Sequence, residues 1–331
     1  MSAAAQGGGA GNMSGDASGN SRAAGVVLAP PERLVRTVSA WAGEPGRRWL
    51  AALPATVAGY LDRWGLTAER VFAAGGQISM IVLVRTDDGT PAVLKAGMVT
   101  QETAQEHAAL AHWGGRSAVR LLRADPEQGV MLLERLHADV SLRSLAEPKA
   151  MLEAAGVLQR LWVPPAGGHP FTTVEEYTGA LVPLLRARRE EPYAQDVRAL
   201  VDEALADHGR LVATAPEAVL LHGDYHHGNV LAGDRMPWLA IDPKPLVGER
   251  AYDLAWLVRD RLDTLVAQPG SRAAARRRLA KLAAAVDVDP ERLRGWSRFR
   301  AVEAGVWSLS VGDTHDGELL LEFATWLDPA A

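Results

Sequence analysis

The sequence predicts an α+β protein in two parts, a small strand-rich lobe followed by a larger helical one. Three observations carry that expectation. Strand-type apolar runs cluster between Ile78 and Leu133, with a strong turn signal between the first two. Three-to-four spacing of apolar residues dominates beyond about Val140. A polar loop, His222-Gly-Asp224-Tyr-His-His-Gly-Asn229, breaks the helical part and precedes an apolar strand that ends in Asp242.

The elements follow in order. Residues 1–28 are rich in Gly, Ala, Ser and Asn and cannot bury enough apolar surface to offset the entropy of ordering, so a disordered tail is expected. Met13 within it is an alternative start to Met1. From Pro31 to Leu66 the pattern is helical, with Leu34, Val35, Val38 and Trp41, then Trp49, Leu50, Leu53, Val57 and Leu61 on one stripe. Strands are expected at Ile78–Val84 and Ala92–Ala96, joined by Asp87-Asp88-Gly89. Gln101 to Trp113 reads as a helix, and Ala118–Leu122 and Val130–Leu133 as two short strands. The expected division is 29–136 for the N-terminal helices and small lobe, and 137–331 for the helical lobe. Only short strands near Val230 and Trp238–Ile241 are expected in the latter, and no internal repeat is visible.

Composition narrows the function classes. At 331 residues, 48% of them hydrophobic, the chain can bury a sizeable core. Its formal net charge of −5 argues against a general affinity for nucleic acid and favours cationic ligands. With no cysteine, thiolate catalysis, disulfides and zinc–thiolate sites are excluded. No apolar run is long enough for a transmembrane helix and the start lacks the pattern of a secretory signal, so a cytoplasmic protein without membrane contacts is expected. Monomer and weak dimer stay open.

The loop at 222–229 carries the chemistry. Asp224 and Asn229 are five apart, as in the H-x-D-x4-N loop of kinases, and Asp242 stands where the aspartate of D-F-G would follow. One carboxylate, Asp224, would accept the proton of a substrate hydroxyl. Asn229 and Asp242 would offer hard oxygens to Mg2+ on the phosphates of ATP. The histidines invite a zinc site, but Gly223 stands where H-E-x-x-H needs its glutamate and Gly228 breaks the helix. His222 is read instead as a packed support of the loop. Asp253, at a predicted helix start, would accept backbone N–H bonds, either of its own helix or of the catalytic loop.

The nucleotide half is expected earlier. Lys95 ends Pro91-Ala-Val-Leu-Lys95 as the lysine of V-A-I-K does. Glu106 is the favoured partner for it, with Glu102 one turn earlier as the competitor. Gly75-Gly76 and Ser79 could cover phosphates with N–H groups and a hydroxyl. Met131-Leu-Leu-Glu134-Arg-Leu136 would be the last strand of the small lobe and run into the hinge that meets adenine.

At His222–Leu231 and Trp238–Asp253 the chain closely resembles the aminoglycoside phosphotransferases, and within them the streptomycin 6-kinase group that also contains hydroxyurea kinases. Glu106–Leu122 and Met131–Leu136 share the likeness, which covers roughly residues 40–327, and Asp242-Pro-Lys-Pro-Leu-Val-Gly248 is its most specific part. The resemblance implies a protein-kinase-like fold and ATP- and Mg2+-dependent O-phosphorylation of a small antibiotic, with Asp224 catalytic and Asn229 and Asp242 holding metal. Tyr225 departs from the pattern of many relatives.

A polycationic substrate needs acidic and aromatic surfaces. The C-terminal part offers Asp260, Asp263, Glu303, Trp307, Asp313, Asp316, Glu318 and Glu322, of which Glu303, Trp307 and Asp313 are singled out for the cleft. Streptomycin, at its 6-hydroxyl, is the favoured acceptor. Hydroxyurea, a tuberactinomycin or another small metabolite would use the same chemistry, and a non-catalytic nucleotide-binding pseudokinase is the reading from another class. A protein kinase is disfavoured, because no A-P-E segment separates Asp242 from the helix at Asp253.

Overall fold

Two helices open the described part of the chain, because the apolar stripe between Pro31 and Leu66 is interrupted at Ala42-Gly43. The structure, a computed structural model, describes residues 25–73, 76 and 78–328. Most of the expected disordered tail, Met13 included, and Gly75 of the phosphate loop lie outside them. Helix α1 spans Glu32–Trp41 and α2 Gly43–Trp64. Leu34, Val38, Leu50, Leu53, Val57 and Leu61 of the predicted stripe are buried, whereas Val35 and Trp41 are exposed. Gly65, with φ of 66°, ends α2 in the left-handed region that glycine adopts without penalty. Leu66, expected as the end of the helix, instead begins strand β1 (Leu66–Val71).

The chain divides into two compact units between Met98 and Val99. In the first, β1, β2 (Ser79–Thr86) and β3 (Pro91–Gly97) form an antiparallel meander. The turn at Asp87-Asp88-Gly89 closes as its sequence dictates. Gly89 has φ of 83°, its N–H donates to the Thr86 carbonyl, and Asp88 Oδ1 accepts from Thr90 N–H at 3.1 Å. Strict alternation puts Met80, Val82, Val84, Ala92, Leu94 and Ala96 on one buried face.

The second unit begins with turns at 101–105, where a helix was expected; α3 spans only Glu106–Trp113. Local hydroxyls compete with the helix there: Thr100 N–H donates to Thr103 Oγ1 at 2.9 Å, and Thr103 N–H donates back to Thr100 Oγ1 at 3.3 Å. A hairpin follows, β4 (Leu121–Asp125) with β5 (Val130–Glu134). The strand expected at Ala118 begins later, because residues 117–119 are drawn to another sheet, where Val119 N–H donates to the Ala240 carbonyl and Ala240 N–H to that of Ser117.

Beyond it the unit is helix-rich: α4 (Glu147–Leu161), α5 (Val174–Arg189), α6 (Arg198–Ala213), α7 (Arg250–Arg259), α8 (Leu262–Val266), α9 (Ser271–Ala285), α10 (Pro290–Ser310) and α11 (Thr314–Trp326). Helix α5 starts on a capping box, Thr173 with Glu176. Two small sheets interrupt the helices. One has the order β6 (His137–Ser141), β8 (Val230–Ala232), β9 (Leu239–Ala240), and the other pairs β7 (Val219–Leu221) with β10 (Leu246–Gly248). Helix α10 runs through the core of this unit, burying Trp296, Phe299, Val302 and Val306. Among the described residues no helix is long and apolar enough to cross a membrane.

Candidate active site

Pairing of β7 with β10 places two loops side by side, the one after Leu221 and the one before Leu246. His222 follows β7 directly and is fully buried; its ring Nε2 lies 2.9 Å from the Ile241 carbonyl. Its carbonyl accepts from Lys244 N–H at 2.8 Å. Gly223 then turns with φ of 78°, so close that a Cβ there would collide with the Lys244 carbonyl oxygen. Only glycine fits, on both grounds.

Two acids and an amide fasten this loop. Asp253, in the first turn of α7, accepts from His222 N–H and Gly223 N–H, both at 2.8 Å, and from Trp162 Nε1 at 3.2 Å. It therefore serves the catalytic loop and does not cap its own helix. Asp260, grouped by sequence with the acids of a substrate surface, is buried and occupied with the loop instead. His227 N–H donates to its Oδ2 at 2.6 Å, and the His227 ring stands against the same oxygen. Burial acts to raise the Asp260 carboxyl, but the His227 ring and N–H outweigh it and hold the group well below the usual carboxylate range. Asn229 Nδ2 donates to the Asp224 carbonyl at 2.9 Å. That leaves Oδ1 as the amide atom suited to a cation.

The β8–β9 register sets the remaining polar pair. Val230 faces Ala240, and Ile241 N–H donates to the Asn229 carbonyl at 2.9 Å, so Asn229 and Asp242 leave adjacent ends of one ladder. Asp242 has φ of 55°, a left-handed conformation that costs a non-glycine residue about 1 kcal/mol or more. Strain of this kind persists where the surrounding structure determines the backbone, here the β9 ladder on one side and the Lys244–His222 bond on the other. Hard oxygens from an amide and a carboxylate suit Mg2+, which takes few protein ligands when phosphates supply the rest. Among the described residues no group of three or more His, Asp or Glu side chains forms a metal cage.

Asp224 itself is partly exposed. Lys244 Nζ stands 3.5 Å from its Oδ2 and 3.6 Å from Glu102 Oε2. Burial works against the Lys244 ammonium, but the carboxylates of Asp224 and Glu102 outweigh it and raise its pKa. Glu102 is thus engaged with Lys244, whereas Glu106, in the first turn of α3, is buried.

A cavity of about 410 Å³ opens beside the loop, walled by α5, α7 and α10. Trp256 and Arg300 connect its wall to the loop, because Trp256 Nε1 and an Arg300 amino group both donate to the Gly223 carbonyl at 3.2 Å. Arg259 stacks on Trp256 at 3.7 Å, and Arg300 lies 4.3 Å from the Tyr252 ring. Burial, with Arg300 nearby, pushes the Arg259 guanidinium down to about 9. Glu303 is raised by burial, against the pull of Arg188, Arg259 and Arg300. A smaller recess shares Glu102 and Tyr177 with this cavity and reaches Gly223 and Lys244.

Of the predicted substrate residues, Glu303 and Trp307 line the cavity. Asp313 does not; its carboxylate caps α11, accepting from Asp316 N–H at 3.4 Å. Lys244, Arg259, Arg300 and Trp256 were not singled out for the site. Lys244 had one signal, its place inside the Asp242–Gly248 segment.

Glu134 ends β5, and its carboxylate binds Arg120 N–H at 2.8 Å and Arg235 at 2.6 Å, so the side chain is a strut. Leu136 packs close to Gly233. In the first unit, Lys95 lies on β3 opposite in direction to Leu94 and Ala96 and is only 6% exposed. Ser79 opens β2, with Gly76 so near its Oγ that a Cβ would collide.

The family described as aminoglycoside/hydroxyurea antibiotic resistance kinase matches residues 63–312. A streptomycin 6-kinase of Streptomyces glaucescens is 38% identical over 91% of this chain and 94% of its own. A hydroxyurea phosphotransferase of Kitasatospora aureofaciens is also 38% identical, over 91% of this chain and 84% of its own. Among solved structures, a thermostable mutant of aminoglycoside phosphotransferase APH(4)-Ia, in ternary complex with ADP and hygromycin B, shares the fold with a TM-score of 0.58. It is 16% identical and the match covers 81% of this chain and 96% of that one.

Proposed function

Because the chain belongs to the aminoglycoside/hydroxyurea antibiotic resistance kinase family, with its α+β, protein-kinase-like fold, we propose that it transfers the γ-phosphoryl group of ATP to the 6-hydroxyl of streptomycin. The observation that carries this reading is Asp224. Its carboxylate is partly exposed and stands 3.5 Å from Lys244, which lines the smaller recess, on a loop held by Asp253, Asp260 and the Gly223 turn.

In this mechanism the acceptor hydroxyl donates to Asp224, which takes its proton as the oxygen attacks phosphorus. Asn229 Oδ1 and the Asp242 carboxylate would hold Mg2+, whose contribution is to neutralise the nucleotide phosphates. Lys95, assigned by its place at the end of Pro91-Ala-Val-Leu-Lys95, would neutralise the α- and β-phosphates. Gly76 and Ser79 would cover them, and main-chain groups near Glu134 and Leu136 would meet adenine. Glu303 and Trp307 would meet the antibiotic, one by charge and one by its half-exposed ring.

A second acceptor is favoured by one observation. The cavity wall carries Arg188, Arg259 and Arg300 against Glu102 and Glu303, which suits a small neutral acceptor such as hydroxyurea better than a polycation. Assaying ATP consumption by the purified protein with streptomycin, hydroxyurea and a tuberactinomycin peptide separates the two. Turnover of streptomycin is expected, with a KM that rises as salt goes from about 0.05 to 0.5 M if Glu303 and Glu102 outweigh the arginines toward the antibiotic. Turnover of hydroxyurea alone, indifferent to salt, would overturn the streptomycin reading and leave the kinase standing.

The metal ligands have their own test. Asn229→Ala and Asp242→Ala should each raise the Mg2+ concentration for half-maximal activity by at least about tenfold, since losing even an outer partner of a metal site costs that much. An unshifted magnesium titration in either variant contradicts its role.

A further inference from the structure

We propose that Lys244 is a catalytic residue, whose ammonium contacts the acceptor oxygen and the phosphoryl group in transfer and stabilises the negative charge that develops there. This rests on the reading of Asp224 as the base that receives the acceptor's proton.

The main chain of Lys244 is held firmly and its head is not. Its N–H bonds the His222 carbonyl at 2.8 Å, its carbonyl oxygen lies against Gly223, and Pro243 and Pro245 restrict the backbone on either side. The ammonium stands 3.5 Å from Asp224 and 3.6 Å from Glu102, and the side chain is 44% exposed. Those separations exceed the 2.7–2.9 Å of a charge-assisted hydrogen bond. Arg292 and Glu249, by contrast, close to 2.5 Å through two nitrogens. An ammonium has three donors, and this one directs them into a recess without a tight partner.

The position fits the reaction. An acceptor oxygen bonded to Asp224 lies about 2.7 Å from that carboxylate, and phosphorus about 3 Å beyond it in a reactive arrangement. A cation 3.5 Å from the same carboxylate can reach the acceptor oxygen, or an equatorial phosphoryl oxygen, when both stand on its side of Asp224. The acceptor O–H gives its proton to Asp224 and its oxygen forms the new O–P bond. The bond from phosphorus to the bridging oxygen breaks, and its electron pair leaves with ADP. Lys244 keeps its proton throughout and acts by charge. Preorganised charge aimed at a transition state commonly contributes about 10² to 10³ in rate. Glu102 holds the ammonium near this place from the other side.

The test compares Lys244→Met, Lys244→Gln and Lys244→Arg with the parent and with Asp224→Asn, all checked for folding by circular dichroism. Kinetics use ATP with streptomycin, or with hydroxyurea if that is the acceptor turned over. In Lys244→Met and Lys244→Gln, kcat should fall by about 10² to 10³, with both KM values moving less than about threefold. Affinity for ADP–aluminium fluoride in the presence of acceptor should fall with kcat, while AMP-PNP affinity changes little, because the group acts on the transition state. Lys244→Arg should recover at least about tenfold of the lost rate by restoring the charge. Retention of kcat within about fivefold, a loss confined to KM, or equal weakening of both nucleotide complexes overturns the proposal. Undiminished turnover by Asp224→Asn would instead sink the base assignment, whatever the Lys244 variants do.

Discussion

Asp224→Asn is expected to lower kcat by about 10² to 10⁴, the contribution of a positioned general base. The amide keeps the shape of the side chain but cannot take the proton that the acceptor oxygen must lose. Nucleotide affinity should change little, since the residues assigned to phosphates and metal are elsewhere, and thermal stability should stay near that of the parent because Asp224 is partly exposed. The loop's own fastenings, Asp253 on Gly223 and Asp260 on His227, are untouched. Steady-state kinetics and nucleotide titration of the purified variant decide it. More than a tenth of parental kcat would remove Asp224 from its role.

Gly223→Ala should damage both stability and catalysis. The residue has φ of 78°, which costs a side-chain-bearing residue about 1–3 kcal/mol, and its Cβ would occupy the place of the Lys244 carbonyl oxygen. Neither partner can yield cheaply, because each is backbone. Gly223 N–H is bonded to Asp253, its carbonyl serves Trp256 and Arg300, and Lys244 N–H is bonded to His222. A loss of about 3 kcal/mol or more is expected, lowering Tm by roughly 6–12 °C for a unit of this size. Catalysis should fall by more than about 10²-fold, since a displacement of the base of about 1 Å costs that much. Gly312→Ala is the control: φ there is 84°, but nothing stands within 4 Å of the added Cβ. It pays for backbone strain without a collision. Equal Tm shifts in the two variants would refute the collision, and full activity in Gly223→Ala would refute the close fit of the loop on Lys244.

Gly223 also shows where a linear reading stops. In the sequence it stands out only as the residue that spoils a zinc motif, while Asp224 and Asn229 are legible directly. The latter lie five apart on one loop, and the template they satisfy is local. What makes Gly223 irreplaceable is a strand pair that brings residue 244 against it, and an aspartate thirty positions onward.

By itself the sequence determined the fold class, the hairpin at Asp87–Gly89 and the family, because turn chemistry, strand alternation and catalytic spacing are short-range properties of a chain. It did not reveal β1, β6, β7 or β10: the last two have three residues each, too few to display a period, and β1 follows a helix with no breaker but Gly65. It extended α3 over Gln101–Gln105, where paired threonine hydroxyls hold a turn and Glu102 reaches Lys244. It placed Asp313 in the cleft, where only the packing of α11 shows that its carboxylate serves as a cap. Above all, tertiary structure decided the charge of the cavity. Acidic residues are easily counted along the C-terminal helices, but a binding site feels only those charges that converge on it. Packing of α5, α7 and α10 gathers Arg188, Arg259 and Arg300 around Glu303 and turns Asp260 inward to His227. Coulomb energy depends on distance and burial, and neither is a property of sequence separation.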